Sequence, residues 1–255
     1  MTREEKSLKI AQNFKMLEAT LDAMMTPNTP IKSVICVGKG GCGKTYTTEK
    51  KLQKAHDNCE IDYKKISGKI TTMGLFMALY ESRHKNSVLL LDDVDVFTNE
   101  TTLDLLKSVL DTSDVRTVSY ITSSKVLADS GVPQTFDFRG KIIFLSNKNL
   151  TLMAKQQNAL SPHIDALLTR SIFIDLELFS NEEVMIHVEN IMRSNNIVEK
   201  FNVNKQGSSM ILDWMLKNES KLRNPSLRMP VLIAGLYNSN PYDWETMCEN
   251  LFLDK

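Results

Sequence analysis

The stretch GKGGCGKTY, residues 38–46, places four glycines and two lysines where an apolar run gives way to a helical pattern. It fits G-x-x-x-x-G-K-[ST] with Gly38, Gly43, Lys44 and Thr45. Glycines at this spacing let successive backbone N–H groups curl around phosphate oxygens that side chains would otherwise block. The helix that follows adds the positive end of its dipole. Lys44 is placed to reach the outer phosphates, and the Thr45 hydroxyl to take a Mg2+ position. The chemistry that this loop suits is the grip of a nucleotide triphosphate. A magnesium–nucleotide site also calls for a carboxylate at the end of a neighbouring strand. SVLLLDD, residues 87–93, runs from apolar residues straight into acid. Asp92 is the expected metal carboxylate, holding Mg2+ through water. Asp93 stands where a base would orient the attacking water, and Asp95 belongs to the turn beyond.

The elements that must position these residues are legible as alternating runs. Ile10, Phe14, Leu17, Leu21 and Met24 recur at helical spacing and predict one apolar face of a helix over 4–25, which TPNTP ends. Strands are expected at 31–37, 61–67, 87–93, 141–147 and 171–178. Helices are expected between them, to about residue 56 and over 71–83, 99–112 and 151–169, the last interrupted near Ser161-Pro162. Residues 115–124 and 134–138 read as two strands of a ribbon around ADSGVP. Four or five buried strands separated by helices give an α/β fold, a parallel sheet covered on both faces. Beyond 178 the pattern is helical alone, near 181–196, 206–218, 226–238 and 241–252, with Asn240 and Pro241 as the start of the last helix. The expected division is a nucleotide-binding domain over 1–178, including the N-terminal helix, and a small helical domain over 179–255.

Bulk properties narrow the class. With 255 residues, 42% hydrophobic and 24% charged, the chain has the composition of a globular protein. Lys+Arg and Asp+Glu are both 31, which argues against a general nucleic-acid coat while allowing a local basic groove. The cysteines at 36, 42, 59 and 248 show neither a C-x-x-C pair nor a regular spacing, so neither a disulfide framework nor a zinc site is expected. The N-terminus lacks an apolar secretory core and no run reaches transmembrane length. A cytoplasmic protein is expected.

GKGGCGKT, VLLLDDVD and IIFLSN together make residues 31–238 similar to the AAA+ ATPase family, with the helical tail resembling that family's lid. FDFRGKIIFLSN also resembles AAA+ proteins of tailed phages, for which the compartment would be the host cytoplasm. The resemblance implies ATP and Mg2+ as cofactors, a homo-oligomeric ring such as a hexamer, and remodelling of a macromolecular partner. It implies a nucleotide contact for Gly38, Lys39, Gly40, Gly41, Cys42, Gly43, Lys44, Thr45 and Tyr46. It also implies sensor roles for Asn147, beside the attacking water, and for Arg228, folding onto the nucleotide from the lid. Arg170 matches the arginine finger that completes a neighbouring subunit's site, with Arg116 and Arg139 as competing candidates. The family usually has glutamate where this chain has Asp93, which implies slow hydrolysis or a switch rather than a motor. KKISGKITT, residues 64–72, matches a segment that often faces the ring's pore. Its Lys64, Lys65 and Lys69 suit a phosphate backbone.

Two other readings stay open on the sequence. One is a nucleotide-gated binding module similar to helicase loaders, acting on nucleic-acid machinery. The other is a P-loop small-molecule kinase, with the helical tail covering an acceptor and Asp93 as base for its hydroxyl.

Overall fold

A computed structural model describes residues 1–254 with the exception of Glu177, Phe179 and Asn196. Glu177 falls within the expected last strand, Phe179 opens the expected second domain, Asn196 closes the expected helix over 181–196, and Lys255 ends the expected second domain. These four lie outside the described residues. The described residues group into two compact units.

The first unit takes Lys15–Gly38 and Lys44–Leu176. Helix α1 (Arg3–Met25) supplies its second half to this unit. Strand β1 (Ser33–Val37) then leads through the glycine loop into α2 (Lys44–Asp57). Next come β2 (Asp62–Ser67), α3 (Thr72–Glu81), β3 (Ser87–Asp92) and α4 (Glu100–Val109). After the ribbon strand β4 (Arg116–Ser119), the short α5 (Val126–Asp129) and β5 (Thr135–Phe138), the chain forms β6 (Lys141–Ser146), α6 (Leu150–Lys155), α7 (Ser161–Thr169) and β7 (Ile172–Asp175).

The sheet is parallel, in the order β2-β3-β6-β1-β7. Its three inner strands are buried along their whole length, as expected of near-continuous apolar runs covered on both faces. β2 and β7 are edges and half-exposed, so the number of fully buried strands is smaller than the sequence suggests. Side chains from β1, β3, β6, α3, α4 and α7 make the core, including Phe76, Leu89, Leu106 and Phe144. On α1, Ile10, Leu17, Leu21 and Met24 are buried and Phe14 half-buried, so the expected face is the one that packs.

Local chemistry sets the ends. Thr71 and Asn99 cap α3 and α4 by accepting from Gly74 N and Thr102 N. β4 stops at Ser119, short of the expected 124. Beyond it the Thr122 hydroxyl accepts from Ser124 N, an alternative to ladder pairing. The helical stretch 150–169 is two helices, because Asn158 accepts from Leu160 N and Ser161 N and starts α7 afresh.

The second unit takes Met1–Phe14, Lys39–Gly43 and the described residues beyond 177. It contains α8 (Asn181–Ser194), α9 (Lys205–Lys217), α10 (Met229–Ser239) and α11 (Trp244–Phe252). Ser180 and Glu183 form a reciprocal capping box at the head of α8. The last helix begins at Trp244, not at Pro241 as expected. Asn240 instead spends its N–H on Leu236 O at the end of α10. Trp244 is buried against Trp214 and Tyr237 in edge-on contacts, and that burial fixes where α11 starts.

Candidate nucleotide site

The parallel register brings the carboxyl ends of β1, β3 and β6 level: Val37 lies beside Ser146, and Asp92 beside Leu145. In open α/β sheets this edge is where ligands bind. Gly38 N–H donates to Ser146 O at 3.2 Å, tying the start of the loop to β6. Gly41 and Gly43 have φ of +76° and +99°, which side-chain-bearing residues adopt only under strain.

Lys44 is buried, and its ammonium donates to Gly38 O at 2.6 Å and to Asn147 Oδ1 at 2.7 Å. Thr45 Oγ1 donates to Asp92 Oδ1 at 2.8 Å. Asn147 Nδ2 donates to Asp93 Oδ2 at 2.8 Å. Asp93 is exposed, and its backbone is left-handed at φ +52° while its N–H is held by Leu145 O. The structure therefore brings Lys44, Thr45, Asp92, Asp93 and Asn147 into one connected cluster. Asp95 stands apart, paired with Lys148 at 2.6 Å.

A hydroxyl and a carboxylate held together, one of them on a helix that opens after a glycine loop, are the hard oxygen donors that suit Mg2+. Among the described residues no group of three or more His, Cys, Asp or Glu gathers as a protein-only metal cage.

Lys65 also reaches this cluster. From β2 its ammonium lies 3.0 Å from Asp92 Oδ2 and 3.0 Å from Glu49 Oε1 on α2. Burial alone would lower its pKa, but the bonds to Asp92 and Glu49 more than offset this and hold it above the ordinary lysine value. Lys64 is paired with Glu81. Two of the three lysines expected to serve a phosphate backbone are thus paired with carboxylates of the fold, and Lys69 is exposed on its loop.

The candidate arginines part company. Arg116 is buried, donates to Val109 O, Phe138 O and Gly140 O, and stacks over the Phe138 ring; burial pushes its pKa down to about 10. It cannot reach out of the fold and is not a finger. Arg139 is exposed after β5. Arg170 is exposed at the end of α7, where its guanidinium donates to Ala166 O. Its own carbonyl accepts from Ser33 Oγ at the amino end of β1, so Arg170 lies at the opposite edge of the sheet from the cluster. A strand of this length separates the two edges by roughly 13 Å.

Within the helical unit, Lys39 donates to Asn181 Oδ1 at 2.8 Å, Leu227 N–H donates to Gly41 O at 3.0 Å, and Ser226 packs on Gly41. Arg228 is exposed at the head of α10, next to this contact in sequence. Gly40 and Tyr46 are exposed and Cys42 is buried. None of the four cysteines is in a disulfide.

Sequence reasoning missed His187. Its Nε2 meets Cys42 O at 2.9 Å, and since a carbonyl only accepts, this nitrogen carries the proton. The ring stacks on Phe14 at 4.4 Å, and burial pushes its pKa down to about 4 against the smaller effect of the Cys42 bond. A single histidine among the apolar positions of α8 gave no signal of this.

The sheet order, the glycine loop between β1 and α2, and the acid-tipped β3 define an AAA+ P-loop ATPase fold. Domain III of the replication initiation protein DnaA from Thermotoga maritima is similar over 94% of this chain and 92% of its own, with a TM-score of 0.55 and 11% identity. A replication initiator DnaA bound to AMPPCP and single-stranded DNA matches 94% of this chain and 63% of its own (TM-score 0.51, 14% identity). NtrX from Brucella abortus in complex with ATP matches 95% of this chain and 53% of its own (TM-score 0.54, 15% identity). No family model matches the chain. The protein belongs to the family of the 36.7 kDa protein of the nrdC–mobD intergenic region of enterobacteria phage T4. The two are 36% identical over 242 residues, which cover 95% of this chain and 74% of the T4 protein. No described helix is long and apolar enough to cross a membrane.

Proposed function

We propose that the protein binds ATP with Mg2+, hydrolyses it to ADP and phosphate, and works as a homo-oligomeric ring, a hexamer by family resemblance, that remodels a macromolecular partner. The observation that carries this reading is the linked set Lys44–Asn147–Asp93 beside Thr45–Asp92. Loop amides and Lys44 bind the phosphates, with Lys44 exchanging its bonds to Gly38 O and Asn147 for phosphate oxygens. Thr45 and Asp92 hold Mg2+, which supplies charge neutralisation on the phosphates. Asp93, steadied by Asn147, orients water and accepts its proton. Aspartate is one methylene shorter than the family's usual glutamate, and its left-handed backbone re-aims the carboxylate, a local means of compensating for reach.

Arg170 lies too far from its own chain's cluster to serve it, which supports a role in completing the site of an adjacent copy. A planar fork that stays charged suits a γ-phosphate, and a finger of this kind is worth roughly 10³ to 10⁵ in turnover. Arg228, exposed at the head of α10, is the lid arginine that the family resemblance assigns to the nucleotide, with the functional boundary near residue 179. Phosphate release from ATP without any acceptor tests the reading. The rate per chain rises with protein concentration if the site is completed between copies; acceptor-dependent turnover would instead favour a kinase.

A second reading, a nucleotide-gated module of the helicase-loader kind, is favoured by the likeness to a DnaA bound to single-stranded DNA. Single-stranded DNA binding that requires ATP and weakens steeply with salt supports it; its absence leaves the remodelling ATPase.

A further inference from the structure

Asp92 has both carboxylate oxygens engaged: Oδ1 accepts from Thr45 and Oδ2 faces the Lys65 ammonium. The placement follows from the fold. Ser67 is the residue beside Asp92 in the β2–β3 register, and Lys65 lies two residues earlier on the same face of the sheet. A lysine stem spans that diagonal. Glu49 follows Thr45 by one helical turn on α2, so the same helix face presents both to Lys65. The result is a carboxylate–ammonium–carboxylate bridge built across β3, β2 and α2, at the oxygen donors that fit Mg2+.

We propose that Lys65 is a resident counter-cation of the metal position: its ammonium balances Asp92 and Glu49 before a divalent ion binds, and Mg2+ enters by displacing it from Asp92 onto Glu49. The inference rests on the nucleotide reading above. A divalent ion and an ammonium a few ångströms apart repel each other strongly in a partly buried site. Either the lysine moves or the ion stays out. Glu49 gives it a place to go without leaving a half-buried charge unpaired.

Two consequences have opposite signs. With Lys65 in place, Asp92 and Glu49 do not repel nucleotide phosphates, so the protein binds nucleotide in the absence of metal. The same charge raises the Mg2+ concentration needed for tight binding. Lys65→Met therefore weakens metal-free nucleotide binding and lowers the half-saturating Mg2+ by roughly tenfold, the scale of one partly screened charge. Glu49→Gln leaves Lys65 with Asp92 alone and raises the half-saturating Mg2+.

The experiment is fluorescence titration of a fluorescent ATP analogue with the full chain, first in EDTA and then against added Mg2+. Mn2+ binding followed by electron paramagnetic resonance reads the metal directly. Lys65→Gln accompanies Lys65→Met in case the latter does not fold, as judged by circular dichroism. Opposite shifts of metal-free affinity and Mg2+ requirement support the proposal. Unchanged Mg2+ dependence in a folded Lys65 variant, or a loss of both kinds of binding together, overturns it, as does a Glu49→Gln requirement that stays level. Wild-type protein that binds no nucleotide at any Mg2+ concentration would overturn the underlying nucleotide reading instead.

Discussion

Asn147 donates to Asp93 from Nδ2, and that bond fixes which end of its amide faces the lysine. A carboxylate can only accept and an ammonium can only donate, so the amide has one orientation that satisfies both. Asn147 thereby couples Lys44, proposed to grip phosphate, to Asp93, proposed to handle water. Asn147→Asp keeps an acceptor for Lys44 but sets two carboxylates against each other. Turnover is expected to fall by about 10² or more, with nucleotide affinity within a few-fold of wild type. Steady-state hydrolysis and equilibrium binding, measured on the same preparation, check this.

The opposite-edge position of Arg170 gives a complementation test. Asp93→Asn and Arg170→Ala are each expected to bind ATP and to lose hydrolysis. Mixed in equal amounts they should regain activity, because an Arg170→Ala chain keeps its own Asp93 and borrows an arginine from its neighbour. A mixture as inactive as its components would place the arginine's role within one chain or nowhere in catalysis.

Gly41→Ala should destabilise the helical unit. A left-handed φ costs an L-residue about 1–2 kcal/mol, and the added Cβ would sit 2.8 Å from Ser226 Cβ. A loss of about 2 kcal/mol lowers the melting temperature by roughly 4–8 °C in a chain of this size. The double variant Gly41→Ala/Ser226→Gly recovers the steric part and leaves the backbone part, which calorimetry can separate.

His187 makes stability depend on pH in a defined window. Its folded pKa of about 4 lies below the ordinary histidine value of 6.5, so the unfolded chain binds the extra proton between them. Stability is therefore full above the unfolded value and falls as pH drops from 6.5 towards 4, by up to the order of 3 kcal/mol. His187→Gln keeps an N–H for Cys42 O but does not titrate. Its melting temperature should change less than that of wild type between pH 7 and 4.5.

What the sequence made legible is what burial writes directly into composition. SVICV, SVLLL and KIIFL could only be inner strands, and a glycine loop between the first of them and a helix fixed the edge at which the site forms. Lys44, Thr45, Asp92, Asp93 and Asn147 were all visible as strand ends or helix starts. Lys65 was not, because its partners lie on β3 and α2 and an edge strand gives no pattern saying which face its lysine takes. Arg116 carried a signal that went unread: it shares a strand face with Val118, and alternation places both inward. The start of α11 depended on which tryptophan surface Trp244 could reach, a tertiary matter that the Asn240-Pro241 pair does not encode.

β2 forms one margin of the sheet and carries Asp62, Lys64 and Lys65 within six residues. An outermost strand with unpaired main-chain groups is ordinarily a template on which a foreign strand can nucleate, the route to cross-β stacking. Charges along this margin make such an addition costly. Strand-on-strand growth between copies is thereby disfavoured at this border.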